Sequence, residues 1–314
     1  MKPTILIAAS SAALSGMVFL GTGLAQATTI PSTISSTLTI TTDSQLTGNV
    51  AFTVTGAPCI KFGANGIKLK LNGFSVTGNG GQDSCTLDLK FAETGIDTNS
   101  KNNVFIQGPG LVRRFNFVDI VVSGNNSMVE GVAITSSCLE GIRVLGSNNE
   151  VERNSISRAG LDNSLVGHFA AGIFVAAPGG NNRILNNEVV GAGTYPIISG
   201  QGGFGIFVGE PGAPSNNNLI QENNASGNPG AGIFISGPSG PTPGSKGNKV
   251  LNNQALGNIN AGDIFDANAP GANTYKDNLC EVSNINICEL PNIAGHRNPD
   301  VLSNEGGTAR ASFE

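Results

Sequence analysis

GIFVAAPGGNNRILNNEV, residues 172–189, is one copy of a repeat that decides the fold. Its two halves are Gly-Ile-x-Val and Asn-x-Φ-x-x-Asn-x-Φ, with Φ apolar. They recur as GIRV (141–144) with NEVERNSI (149–156), GIFV (205–208) with NLIQENNA (218–225), and GIFI (232–235) with NKVLNNQA (248–255). A degraded copy pairs DIFD (263–266) with NTYKDNLC (273–280), and two looser ones pair GIDT (95–98) with NVFIQG (103–108) and DIVV (119–122) with NSMVEG (126–131). Repetition at this period marks stacked supersecondary units, none of which can bury its apolar face alone.

The Ile positions 96, 120, 142, 173, 206, 233 and 264 are spaced by 24, 22, 31, 33, 27 and 31 residues. The shortest step fits one turn of a solenoid made of short strands, and the longer steps carry loop insertions. Within each turn apolar residues alternate two apart, as in Ile173/Val175, which is a strand period. Gly and Asn interrupt every strand after three to five residues, and no sustained helical period occurs. The pattern predicts an all-β fold, a single parallel β-helix of roughly eight coils. Equivalent residues of stacked coils lie roughly 4.8 Å apart. Asn149, Asn182, Asn218, Asn248 and Asn273 therefore predict one polar corner column, and Asn154, Asn187, Asn223, Asn253 and Asn278 a second. Asn tolerates left-handed backbone angles and can bond to its neighbours above and below. Because the columns recur in every coil, they are read as structure rather than as a site.

The segments GANGIKLKLNGFSVTG (63–78) and NNVFIQGPGLVRRF (102–115) resemble the opening coils of secreted right-handed parallel β-helix repeat proteins of the pectate-lyase-like superfamily. The likeness runs from about residue 45 to about 290. It implies a right-handed solenoid but no single activity, since this architecture hosts lyases, hydrolases, epimerases, copper-maturation proteins and adhesins.

Residues 1–27 read as a signal peptide: Lys2 leads an apolar run that ends at Ala25-Gln26-Ala27. The expected location is secreted or periplasmic, with no membrane span in the mature chain. Residues 28–44 read as a Ser/Thr-rich lead-in and N-terminal cap, 45–280 as the β-helix, and 281–314 as a C-terminal cap and flexible tail. The chain has 17 basic residues against 22 acidic ones; without Lys2 the balance is 16 against 22, or −6. So acidic and sparsely charged a protein excludes nucleic acid as a partner and repels polyanionic glycans unless an Arg patch or bridging Ca²⁺ intervenes. Five cysteines suit an oxidising compartment. Cys280 and Cys288 are expected to close the last coil, and Cys59 and Cys85 to pair across the first, leaving Cys138 as a buried small hydrophobe. Sequence leaves other connectivities open.

Two kinds of insertion break the repeat. One follows Gly-Ile-Phe-Val at 176–180, 209–215 and 236–247 and predicts a stacked Pro/Gly flap. The other precedes it at 157–171 and 191–204, carrying Arg158, Asp162, His168 and Tyr195. In the lyase and epimerase branches that the resemblance brings in, a base removes a C5 proton, a Tyr or His returns one, and a cation neutralises the carboxylate. Asp162, His168 and Tyr195 are the catalytic candidates on that reading, with Arg143 or Arg158 on the carboxylate. The family's sharper signatures are missing: there is no Trp for a Trp-Ile-Asp-His segment, no Gly-His-Gly, and Met128, His168 and His296 are too scattered for copper. No cofactor is expected, Ca²⁺ entering only for a uronate lyase.

The x of Gly-Ile-x-Val reads Val121, Arg143, Phe174, Phe207, Phe234 and Phe265 down the coils. Alternation turns this column outward. Four stacked Phe would exceed the apolar patch a soluble monomer tolerates, so the flap or C-terminal segment should cover them, or a ligand, partner or second copy should. The function expected is a secreted protein that binds a glycan or protein partner through the Phe stripe and inserted loops. The alternative is a lyase or C5-epimerase acting on an acidic polysaccharide.

Overall fold

The computed structural model describes residues 27–288 apart from 84, 89, 91, 163–168, 194–201 and 286. Residues 1–26, where the signal peptide is expected, and the chain after 288 therefore lie outside the described residues. Among the described residues, twenty-eight strands, most of them three residues long, wind into a parallel β-helix with three faces. The first face has ten strands, from Thr28–Ile30 to Thr274–Lys276. The second has seven, from Thr33–Ile34 to Glu188–Val190, and continues through single bridges to the pair Gln254–Ala255 and Leu279–Cys280. The third has nine, from Leu38–Ile40 to Ile264–Asp266. No helix among the described residues is long and apolar enough to cross a membrane.

The solenoid starts earlier than the repeat shows. Segment 28–44, expected as lead-in and cap, supplies the first coil itself, with Ile30, Ile34 and Ile40 buried. Its β-branched Thr and Ile residues form strands without the Gly-Ile-x-Val phrase. At the other end Asp263 Oδ2 accepts the Glu281 and Val282 N–H groups, at 2.8 and 3.1 Å, which turns the chain back over the last coil.

The core is the stack that the alternation predicts. Ile96, Ile120, Ile142, Ile173, Ile206, Ile233 and Ile264 are in register on the third face, each wholly buried. Full burial of one such side chain is worth about 1.5–3 kcal/mol. Gly precedes five of these Ile residues and makes room for the second face: a Cβ on Gly172 would lie 2.1 Å from Val189 Cγ1.

Both Asn columns form, with one direction throughout. The Asn149, Asn182, Asn218 and Asn248 N–H groups each donate to the Oδ1 of the next Asn, at 2.8–2.9 Å. The second column repeats this from Asn154 to Asn278 at 2.9–3.0 Å. A third, shorter ladder links Ala192, Asn228 and Asn258. The left-handed conformation falls on the residue before each ladder Asn, as at Asn148, Asn181 and Asn217 with φ of 57°, 55° and 58°. The turn and the ladder are thus separate tasks of adjacent residues.

Candidate functional site

The third face presents two variable columns on its outer side. One is the x of the repeat. Lys61, Asp97, Val121, Arg143, Phe174, Phe207, Phe234 and Phe265 pair in sequence down it. The other is the residue before each Gly, namely Thr94, Val118, Glu140, Ala171 and Phe204. The Ile position repeats throughout, Asp119 and Asp263 stand at the Gly position and Thr98 and Asp266 at the Val position, and the face otherwise differs from coil to coil in these two columns.

The Phe stripe stacks as expected. Rings of successive coils lie 5.1 Å (Phe174–Phe207), 5.2 Å (Phe207–Phe234) and 5.2 Å (Phe234–Phe265) apart, close to the strand spacing. It is not an open stripe, however. Phe169 and Phe204 lie over Phe207 at 4.7 and 5.0 Å, so that Phe174 and Phe207 are buried while Phe234 and Phe265 stay half-exposed. Aromatic cover was the missed element: Phe169 and Phe204 belong to the insertions before the repeat, not to its x position.

Beside Phe234 two of the three predicted Pro/Gly insertions, 209–215 and 236–247, stack. Each makes a tiny hairpin, with paired backbone bonds between Glu210 and Ala213 and between Ser239 and Thr242. Buried Ser215, Ser236 and Ser245 tie them together, Ser245 Oγ accepting the Ser215 N–H at 3.0 Å and lying 3.0 Å from Ser236 Oγ. Pro211, Pro238 and Gly240 then wall a hollow of about 390 Å³ floored by Phe204, Phe207 and Phe234.

Toward the N-terminal end the same face opens a second hollow of about 350 Å³, with a different lining: Thr94, Asp97, Phe117, Val121, Arg143 and Leu145 among others. Arg143 donates from Nε and Nη2 to both oxygens of Glu140, at 2.9 and 2.6 Å. Its guanidinium carbon sits 4.6 Å from the Phe117 ring centre. Burial pushes the Glu140 carboxyl up from its ordinary range and Arg143 pulls it back. Asp97 is also pushed up by burial, against the hydrogen bond from the Asn99 N–H and the charge of Lys61. Thr94 Oγ1 is buried without a hydrogen-bond partner.

The other predicted residues go elsewhere. Asp162 Oδ2 accepts the Leu87 N–H at 3.3 Å, and Arg158 forms an ion pair with Asp83. Both fasten the excursion between the second and third faces that also carries Cys85. His168 and Tyr195 lie outside the described residues, so this geometry does not bear on the catalytic constellation. The disulfide reading needs one correction: Cys85 bonds Cys138, and Cys59 is free. Cys59 faces the inner core, where burial lifts its thiol to about 12, whereas Cys85 and Cys138 join an outer cluster with Phe117, Val118 and Leu139. The sheet wall separates Cys59 from Cys85. Cys280 and Cys288 do bond. Among the described residues no three His, Cys, Asp or Glu side chains gather as a metal site.

Thr94, Asp97 and Glu140 were absent from the sequence candidates. Reading the x column one coil further back, into GIDT, gives Asp97; reading the residue before each Gly gives the other two.

The family model described as the right-handed beta helix region matches residues 94–287. No curated protein matches the chain in sequence. Among solved structures, Dettilon tailspike protein superposes with a TM-score of 0.51 at 15% identity, over 80% of this chain and 54% of that one. The enzymatically active domain of bacteriophage CBA120 tailspike protein 2 gives 0.56 at 14% identity, over 80% and 40%. The pectate lyase Pel9A gives 0.49 at 14% identity, over 80% and 68%. At such identities the likeness to the tailspikes is one of fold, and the chain spans about half or less of their length.

Proposed function

This chain belongs to the right-handed β-helix family, and we propose that it is a carbohydrate-binding protein of the cell exterior or periplasm that holds a glycan across its third face. The observation that carries this is the hollow of about 390 Å³ floored by Phe204, Phe207 and Phe234 between two proline hairpins. Its size falls in the range of about 300–1,000 Å³ typical of ligand pockets. Half-exposed Phe234 offers an aromatic face to the C–H side of a sugar ring, and the hairpins supply a polar rim. The polar hollow next along the same face extends the groove. Two disulfides, with the leader-like pattern of residues 1–27, support an oxidising compartment.

A lyase or epimerase on an acidic polysaccharide has less support. It asks for a cation that can receive a substrate carboxylate, yet Arg143 is held by Glu140 and Arg158 by Asp83. Partner or self-association through the stripe is left only the half-exposed end at Phe234 and Phe265.

The test is a glycan array followed by titration, with Phe234→Ala as the probe. Phe234 is only half-buried, so the variant should fold, and its affinity for the bound glycan should drop about tenfold. A folded Phe234→Ala with unchanged affinity, or a wild-type protein that binds no glycan, would remove the reading.

A further inference from the structure

Thr94 is the least explained residue on the third face. It is 4% exposed and lines the polar hollow, and its hydroxyl has no partner. A buried hydroxyl without a hydrogen bond is destabilising, so its retention needs a reason outside the free protein's stability. Asp97, on the same strand and lining the same hollow, takes the Asn99 N–H at 2.6 Å and the Ser123 hydroxyl at 3.5 Å on Oδ1, while Oδ2 accepts no hydrogen bond from the described residues. Arg143, two coils further along, uses Nε and Nη2 on Glu140, leaves Nη1 outside that pair, and lines the same hollow. A hydroxyl, an acceptor and a donor thus line one space with apolar Val121 and Phe117.

We infer that this hollow is a subsite for the adjacent hydroxyls of an uncharged sugar, and that the glycan bound by this protein is neutral. The inference rests on the third-face groove reading and names its ligand class. A sugar hydroxyl both donates and accepts, so neighbouring hydroxyls match Asp97 on one side and Arg143 on the other, with Thr94 able to serve either way. Pyranose C–H groups meet Val121 and the Phe117 ring. The charges disfavour an anionic ligand. Arg143 is already neutralised by a wholly buried Glu140, so a uronate finds no free cation there and meets Asp97 instead.

Calorimetric titration of the whole protein with oligosaccharides cut from neutral glucan, mannan, galactan and xylan, and with oligogalacturonate and oligoalginate, tests this. A neutral series should bind and the uronates should not. Thr94→Val, isosteric and folded, should weaken that binding about tenfold or more, as should Asp97→Asn. Glu140→Gln should gain affinity for uronates by releasing the Arg143 charge. If uronates bind the wild type as well as neutral glycans do, or if Thr94→Val leaves affinity unchanged while Phe234→Ala abolishes it, the subsite is wrong and the aromatic groove stands. If no oligosaccharide of either class binds, the groove reading falls and takes the subsite with it.

Discussion

Glu140 and Arg143, three residues apart on one strand, are joined by two hydrogen bonds of 2.6 and 2.9 Å, and the carboxylate is completely withdrawn from solvent. A buried ion pair is held together by the cost of separating it, not by a large net gain. Arg143→Ala strands a buried carboxylate and should destabilise the protein by about 3–5 kcal/mol. The double variant Glu140→Gln with Arg143→Met removes both charges and should recover most of that loss. Urea unfolding of Glu140→Gln, Arg143→Met and the double closes the cycle; a double variant no more stable than Arg143→Met would show that the pair contributes by packing, through the Phe117 stack, and not by charge.

Thr94→Val separates stability from function. The substitution replaces an orphaned hydroxyl with a methyl group of nearly the same shape, so the folded protein should gain about 1 kcal/mol. A higher thermal midpoint together with weaker glycan binding is the expected pair of results. A lower midpoint would mean that the hydroxyl is satisfied in solution.

The ladders make a position-specific prediction. Asn218 Oδ1 accepts the Asn182 N–H at 2.9 Å, and its Nδ2 donates to Asn248 Oδ1 at 2.9 Å and Ser215 Oγ at 3.0 Å, all of it buried. Asn218→Ala leaves the buried Asn182 N–H without an acceptor and should cost about 2–4 kcal/mol. The neighbouring Asn217 holds φ at 58°, and Asn217→Gly should be nearly neutral because Gly enters that region freely. Equal losses at the two positions in chemical denaturation would refute this division of labour.

What the sequence made legible follows from what repeats. The Ile stack, both Asn columns, the stacked Pro/Gly hairpins and the 5 Å Phe ladder are each set by spacing along the chain, and each stands in the structure. Contacts made across the wall of the solenoid have no period. Phe169 over Phe207, Cys85 bonded to Cys138 and Asp162 beneath Leu87 join an insertion to a coil at separations the repeat does not encode. The first coil, 28–40, was hidden for the opposite reason: it has the strand alternation but not the phrase. The polar hollow falls between the cases, since Asp97 and Thr94 stand at repeat positions where only the side chain departs from the rule.

Asp119 gives the stability a pH dependence of definite sign. It takes the place of Gly in the repeat phrase, as Asp263 does in the last copy, so its carboxyl projects where most coils have none and is entirely buried. Burial lifts it from an ordinary value of 3.8 to about 8, with the Ser137 hydroxyl at 2.5 Å and the Phe115 N–H at 3.3 Å only partly opposing. Between those values the folded protein holds a proton that the unfolded chain releases. Folding is therefore favoured at low pH, and the contribution is lost as pH rises through the window, with a slope of up to about 1.4 kcal/mol per unit. Glu140 and Asp97, also raised by burial, act in the same direction. Asp88, lowered by the N–H groups of Ala92, Lys90 and Glu93, acts oppositely and only on the acid side. Asp119→Asn keeps an acceptor for Ser137 and cannot ionise. Unfolding free energies measured from about pH 5 to pH 9 should fall for the wild type and stay flatter for Asp119→Asn, which becomes the more stable of the two above pH 8. Parallel curves would place the Asp119 proton elsewhere and leave the buried carboxylate charged, held by Ser137 and Phe115 alone.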